Sequence, residues 1–222
     1  MNIAAYGFAI WETFYVTVLS TAFALVLGLP LGVLLVAGAK DGILPLPGWL
    51  MHLINMVINI LRSVPFLILM ICVFPLTRAI VGTTVGTKAT IVPLVVAAFP
   101  FVARLVETSL RELDEGVVEA AQSMGATPFQ IITKVMIPEC LPGLISSMTT
   151  ALTTILGYSA MSGVIGGGGL GKIALSYGYY RYQTNIMIVC VVLLVAHTVP
   201  TDWTAGTIST SSTTQTIMML VW

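Results

Sequence analysis

Long apolar runs separated by short polar stretches make up most of this chain, and the pattern predicts helices that cross a membrane. The first run covers residues 14–37, which is more than the ~20 residues that cross ~30 Å of hydrocarbon. Further apolar runs cover residues 64–76, 90–106 and 144–161, and another begins near Asn185. The pattern therefore predicts an all-α membrane protein with about five transmembrane helices.

The segment before the second run has two faces at helical spacing. Leu50, Ile54 and Leu61 recur on an apolar face, while Asn59 and Arg62 lie on a polar one. A helix with such a polar face does not turn it toward lipid. We expect one long helix through residue 76, whose first half lies in the interface or lines a polar interior and whose second half crosses the membrane.

A polar stretch after the third run predicts two short helices joined at a corner. Asp114 can cap the first helix, and Gly125 suits the left-handed position just past its end. Thr127 and Gln130 have the spacing of a capping box at the start of the second helix, and Pro138 is expected to end it. From shape alone, this stretch is equally an ordinary soluble loop between membrane helices.

The apolar face of this helix pair is predicted to include Ala121 and Met124 on the first helix and Ile131 on the second. Just before the pair, Arg104, Glu107 and Arg111 recur at three- and four-residue spacing. Their side chains can therefore pair along one helix face.

The helix expected over residues 144–161 is rich in hydroxyl groups. Such groups in a spanning helix either bond to their own backbone and to neighbouring helices or line a passage for a polar solute. Both alternatives place this helix inside the bundle. The candidate passage residues in and near it are Ser146, Thr150, Thr153, Ser159 and Met161, to which Asn59 and Arg62 are added from the second helix.

A glycine run from Gly166 to Ile173 matches the first seven positions of a nucleotide-binding P-loop. The eighth position is Ile173, which has no hydroxyl group for magnesium, and apolar helices surround the run where a P-loop needs strands. We therefore expect a flexible loop, followed by an amphipathic piece whose tyrosines anchor it at the interface.

The composition agrees with a membrane protein, since 57% of the 222 residues are hydrophobic and 8% are charged, with a mean hydropathy of +1.01. A net charge of zero argues against nucleic-acid binding. No basic residue precedes the first run, so we expect a retained span and not a cleaved signal peptide. Cys72, Cys140 and Cys190 have no pair spacing and are predicted to be buried, with no metal site.

The sequence from Glu119 through Ala120 and Ala121 to Gly125, followed later by Ile137 and Pro138, resembles the EAA loop of ABC-importer permeases. The resemblance implies a type I ABC-importer permease whose helix pair, residues 112–139, is a cytoplasmic pair of coupling helices that docks on a separate ATPase. The coupling residues implied by it are Glu119, Ala120, Ala121, Gly125, Ala126 and Pro138.

Residues 157–161, 168–171 and 177–179 are similar in turn to methionine-importer permeases in particular. This resemblance implies a homodimer with two ATPase subunits and an extracytoplasmic substrate-binding lipoprotein, in the bacterial inner membrane with the amino terminus outside. ATP and Mg²⁺ would be bound by the ATPase, and this chain would hold no cofactor and perform no catalysis. The alternatives are the import of another amino acid, or a channel or carrier that needs no ATPase.

The resemblance ends before the carboxyl terminus. We assign residues 1–199 to the permease domain, because the last apolar run meets Pro200 after about fifteen residues, which is too short to span. Residues 200–222 are rich in serine and threonine, and we expect this tail to be disordered or translated from a shifted reading frame. Resequencing of the coding region tests that hypothesis.

Overall fold

The computed structural model describes the backbone of residues 3–210 and the side chains of residues 5–197. Within those residues the chain is helical and contains no strand, as predicted. The helices are α1 (Ile3–Ala37), α2 (Gly48–Ser63), α3 (Phe66–Cys72), α4 (Phe74–Val81), α5 (Thr87–Arg111), α6 (Glu115–Ser123), α7 (Pro128–Ile131), α8 (Ile137–Glu139), α9 (Leu141–Ser162), α10 (Gly169–Ile173) and α11 (Thr184–Thr210). A π-helical turn, Ile132–Met136, joins α7 to α8, and a second one, Ala174–Tyr179, follows α10.

Three helices of the described chain, α1, α5 and α9, are long and apolar enough to cross a membrane. The bent pair of α2 and α3 makes a fourth span if it is counted as one. The apolar part of α11, Thr184–His197, is shorter, but the helix continues through Pro200 to Thr210. The short apolar run is thus found as predicted, while the helix itself passes Pro200, which a helix of this kind can accommodate. Residues 211–222 lie outside the described part of the chain.

Helices α1 and α5 pack closely because two glycines of α1 leave room for α5. A Cβ atom added at Gly28 would lie 2.7 Å from Val102 Cγ1, and one added at Gly32 would lie 2.6 Å from Val106 Cβ. Both distances are far below van der Waals contact. The small-residue spacing in α1 thus forms a packing notch within one protomer.

The expectation of one long helix through residue 76 is wrong, because the chain bends by 110° between α2 and α3. The break lies at Val64, whose φ of −78° and ψ of 127° are extended. A residue before proline is disfavoured in the helical conformation, and Pro65 has no N–H group to continue the hydrogen-bond ladder.

Two of the three cysteines are buried as predicted, namely Cys140 and Cys190. The prediction is wrong for Cys72 of α3, which is exposed.

The main apolar core runs the length of α5 and α9 and continues into the short helices after α5. Val102 and Leu110 of α5 and Ile155 of α9 belong to it, as do Ala121 of α6 and Ile131 of α7. The short helices are therefore packed on the bundle and do not form a separate loop. The glycine run between α9 and α10 lies at the other end of α9, remote from them.

Candidate functional site

Residues 112–139, between α5 and α9, form a compact unit that we call the knob; its first helix is α6, and its second consists of α7, the π-helical turn and α8. Its first helix begins at the predicted cap, where the backbone N–H of Gly116 donates to Asp114 Oδ1 at 2.8 Å. Gly125 has a φ of +78°, the left-handed conformation predicted for the residue after the helix end. The corner therefore depends on a backbone conformation that favours glycine.

The second helix of the knob also begins as predicted. Thr127 and Gln130 form a capping box, in which the backbone N–H of Thr127 donates to Gln130 Oε1 at 2.9 Å. Pro128 occupies the first turn, where no N–H donor is needed. The start of each helix is thus fixed by hydrogen bonds of the knob itself.

Pro138 does not end this helix, so that prediction is wrong. The π-helical turn Ile132–Met136 precedes it, and the backbone N–H of Ile137 donates to Ile132 O, five residues earlier. The wider turn shifts the carbonyl groups that a proline ring would otherwise meet. Only the turn at Cys140 separates α8 from α9, so the chain passes from the knob into the α9 span with almost no interruption.

The predicted coupling residues lie together in the knob but differ in exposure. Ala121 is buried beneath it, and its carbonyl oxygen accepts from the backbone N–H of Ala126 at 3.1 Å. Glu119, Ala120 and Gly125 are exposed. The remaining two, Ala126 and Pro138, are half-buried.

Two large apolar side chains at the tip of the knob are exposed to solvent. Met124, expected on the packed apolar face with Ala121, is 80% exposed, and Phe129 is 75% exposed. Met124 lies next to the glycine corner, where the helix ends and its face turns outward. The sequence signal for Phe129 is an aromatic residue directly after Pro128 in an otherwise polar turn. Exposed apolar groups on a structured polar unit are typical of a docking surface.

A charged network links the end of α5 nearest the knob to the polar face of α2. Glu107 is buried and pairs with Arg104 and with Arg111, the latter at 3.0 Å. Arg104 Nη2 also donates to Asn55 Oδ1 at 2.6 Å and to Asn59 Oδ1 at 3.2 Å. The predicted pairing along α5 is confirmed, and Asn59 is a partner of that network.

Arg62 lies at the bend between α2 and α3, beside a cavity of about 160 Å³. Phe66 and Tyr158 also line the cavity, and their rings stack with centroids 4.6 Å apart. This contact joins the first residue of α3, directly after the break at Val64, to α9. The bend therefore brings a cation and two aromatic rings to one small space.

Several hydroxyl groups of α9 bond to their own helix backbone, and that of Ser147 bonds to the hydroxyl group of Ser109 in α5. Thr150 Oγ1 donates to Ser146 O at 3.1 Å, Thr153 Oγ1 to Thr149 O at 3.1 Å, and Ser159 Oγ to Leu156 O at 2.7 Å. Ser159 is buried, whereas Ser146, Thr150 and Met161 are exposed on one face of α9. Bonding within the protein, the first of the two alternatives for these hydroxyl groups, is thus found. A passage for a polar solute along the exposed face of α9 stays a prediction.

The glycine run is bonded to side chains of α1. Glu12 Oε2 accepts from the backbone N–H of Gly169, and Thr13 Oγ1 accepts from that of Leu170, both at 2.9 Å. These are the kinds of amide groups that a P-loop would offer to phosphate. Among the described residues, no group of three or more His, Cys, Asp or Glu side chains could hold a metal ion.

The chain is similar in sequence to membrane components of bacterial importers. The family model described as "Binding-protein-dependent transport system inner membrane component" matches residues 24–211. A relative from Vibrio cholerae named "Probable D-methionine transport system permease protein MetI" is 53% identical over 188 residues, which are 84% of this chain and 83% of the relative. The Escherichia coli K12 protein named "D-methionine transport system permease protein MetI" is 48% identical over 154 residues, or 69% of this chain and 70% of that protein.

Solved structures agree with the sequence comparison. A chain from a structure described as "Inward facing conformations of the MetNI methionine ABC transporter" has a TM-score of 0.91 and 43% identity, and the match covers 94% of this chain and 98% of that one. A structure described as an amino acid ABC transporter with histidines has a TM-score of 0.76 at 18% identity, which shows a shared fold alone.

Proposed function

The chain belongs to the family of binding-protein-dependent transport system inner membrane components, and on that premise we propose that it is the permease subunit of an ATP-driven methionine importer. The relatives and the matched structure whose names include methionine support this cargo. The several apolar helices agree with a multi-pass protein of the cytoplasmic membrane. The amino terminus is placed outside by this proposal, and the knob in the cytoplasm.

The observation that carries the proposal is the exposed apolar tip of the knob. Met124 and Phe129 lie on either side of the Gly125 corner and are held there by helices capped at Asp114 and Thr127. A structured unit with apolar groups at its tip suits insertion into a groove of a partner protein. In this proposal the partner is a separate ATPase subunit, which binds ATP and Mg²⁺ while this chain holds no cofactor.

Movement of the knob would be transmitted through rigid parts of the chain. Ala121 and Ile131 pack in the same core as α5 and α9, and the π-helical turn carries the knob into α9. In a homodimer with two ATPase subunits, closure of the ATPase pair would move the two knobs together. The bundles would then alternate access to the passage between them.

The passage is proposed to follow Asn59 and Arg62 of α2 and the exposed face of α9. Ser146, Thr150, Thr153, Ser159 and Met161 are the predicted α9 residues. Arg62 beside its cavity supports this, because a cation can attract the carboxylate of an amino acid. An extracytoplasmic binding protein would deliver the substrate to the opposite end of the bundle.

Uptake into proteoliposomes tests both cargo and energy source. The chain is reconstituted with a methionine-importer ATPase and binding protein from the same organism, and labelled methionine is supplied outside the vesicles. We expect uptake that needs ATP at the ATPase and that unlabelled methionine suppresses more than other amino acids do. Equal suppression by another amino acid would change the cargo, and uptake without the ATPase would make the chain a channel or carrier.

A further inference from the structure

Three helices meet at the glycine run, at the end of the bundle opposite the knob. Glu12 of α1 accepts a hydrogen bond from Thr87 Oγ1 at the start of α5 and another from the backbone N–H of Gly169 at the start of α10. The backbone N–H of Gly86 donates to Gly166 O at 3.0 Å. One carboxylate thus joins α1, α5 and α10.

The glycines of this region fit closely around that carboxylate. A Cβ atom at Gly168 would lie 2.9 Å from Glu12 Oε2 and would also collide with Thr87 Oγ1. Gly169 has a φ of +77°, and a Cβ atom there would collide with Thr13 Oγ1. The run of glycines is therefore explained by close approach to α1 and α5, without any bound nucleotide.

Helix α10 in turn presses against the end of α9. A Cβ atom at Gly171 would collide with the carbonyl oxygen of Ala160, and one at Gly163 would lie 2.6 Å from the backbone nitrogen of Lys172. Ala160 precedes Met161, which is on the exposed face of α9. The position of α10 consequently fixes the last turn of the helix that carries the candidate passage.

We propose that Glu12 is a positioning residue for transport, which holds α10 and the end of α9 to α1 and α5 so that this end of the protomer moves as one body. The proposal rests on the importer function given above. Its physical basis is that a carboxylate bonded to two donors holds both, whereas its removal leaves a backbone N–H group of Gly169 and the Thr87 hydroxyl without that partner.

Loss of this link should separate ATP hydrolysis from transport. With Glu12→Ala, the knob and the ATPase remain intact, but movement of α5 and α9 no longer carries α10 with it. We expect uptake to fall about tenfold, the fold-change of one hydrogen bond to a charged group, while hydrolysis stays within about twofold of the wild-type rate. Glu12→Gln should keep most uptake, because the Thr87 hydroxyl can accept from the new amide as well as donate.

A second measurement does not depend on transport. Hydrogen exchange of the purified complex reports the backbone amides of Gly169 and Leu170, which should exchange faster in Glu12→Ala than in wild type or Glu12→Gln. Asp41→Ala, which removes an exposed carboxylate in the loop after α1, is the matched control and should change neither measurement.

Acetate offers a rescue of the missing carboxylate. An open cavity of about 440 Å³ is lined by Glu12 and Thr87, so a small anion can reach the vacated position. We expect acetate, but not an equal concentration of chloride, to slow the exchange of Gly169 in Glu12→Ala and to raise uptake.

The outcomes separate the two proposals. If wild-type uptake is driven by ATP but Glu12→Ala equals it, or if uptake and hydrolysis fall together as the complex dissociates, the role of Glu12 is overturned and the importer function stands. If wild type shows no ATP-driven uptake, the importer function fails. Unchanged exchange at Gly169 in Glu12→Ala overturns the role of Glu12 in either case.

Discussion

Arg104 of α5 is joined to Asn55 of α2 by a hydrogen bond of 2.6 Å from Nη2 to Oδ1. The same guanidinium pairs with the buried Glu107. Helix α2 is therefore held by its polar face to the helix that leads into the knob. The guanidinium group thus serves as a structural connection and supplies hydrogen-bond partners to Asn55 and Asn59 on the polar face of α2.

Replacing Arg104 by methionine should destabilise the protein, because it removes the link to Asn55 and one partner of the buried Glu107. We expect a loss of about 2 kcal/mol or more. Arg104→Lys should recover only part of it, since a compact ammonium group cannot reach Asn55 and Glu107 together. Thermal unfolding in detergent measures the effect, and Arg78→Ala, an exposed arginine of α4, is the control. A melting temperature of Arg104→Met equal to that of wild type would show the network to be unimportant.

Ile131→Ala should loosen the attachment of the knob to the bundle. Ile131 is 1% exposed within the core shared by α5 and α9, and such a truncation costs about 2–5 kcal/mol. Phe129→Ala, two residues earlier and 75% exposed, should leave the melting temperature nearly unchanged. Similar melting temperatures for the two variants would mean that Ile131 does not anchor the knob.

Gly125 should tolerate asparagine but not valine. A Cβ atom there would have no neighbour within 4 Å, so the penalty comes from the backbone φ of +78° and is about 1–2 kcal/mol for a side chain that rarely adopts it. Gly125→Val should strongly reduce both ATPase assembly and uptake, whereas Gly125→Asn should retain most of each. Co-purification with the ATPase and uptake are the measurements. Wild-type uptake by Gly125→Val would remove the corner from the coupling mechanism.

Cys140 should react slowly with maleimide. Burial raises the pKa of its thiol above the usual value, and the carboxylates of Glu139 and Glu112 raise it further. A raised pKa means that less of the thiol is present as the reactive thiolate at a given pH. Near the usual thiol pKa of ~8.5, an exposed thiol is therefore largely reactive, whereas Cys140 reacts more slowly.

The comparison is made in a chain with the other native cysteines replaced by alanine. A thiol introduced by Gln122→Cys, at an exposed position of α6, should react about tenfold faster than Cys140. The rate of N-ethylmaleimide labelling between about pH 7 and pH 9 provides the test. Equal rates across that range would contradict the buried position of Cys140.

Local rules were sufficient to predict much of the knob from the sequence. The cap at Asp114, the left-handed Gly125 and the box of Thr127 with Gln130 each depend on residues close together in the chain. Pro138 does not end the helix because a π-helical turn accommodates it, and a π-helical turn has no simple sequence signal. The bend at Val64 was missed even though Pro65 marks it, because the apolar pattern continues on both sides.

Contacts between distant segments could not be read in the same way. Glu12 and Gly169 are 157 positions apart, and nothing in either local sequence shows that one bonds the other. The missing hydroxyl residue argues against a P-loop at the glycine run, but the contacts of the run with Glu12 and Thr13 are visible only in the packed structure. The exposure of Met124 likewise depends on where the helix ends.

The central claim is that the tip of the knob receives the energy for transport from a separate ATPase. The most direct test is the double variant Met124→Ser with Phe129→Ser, in which both exposed apolar groups are removed from the tip. Co-purification of the ATPase and ATP-driven methionine uptake are measured together with thermal unfolding. We expect an unchanged melting temperature together with loss of both ATPase binding and uptake. A folded double variant that binds the ATPase and takes up methionine like wild type would show that the tip of the knob is not the coupling surface.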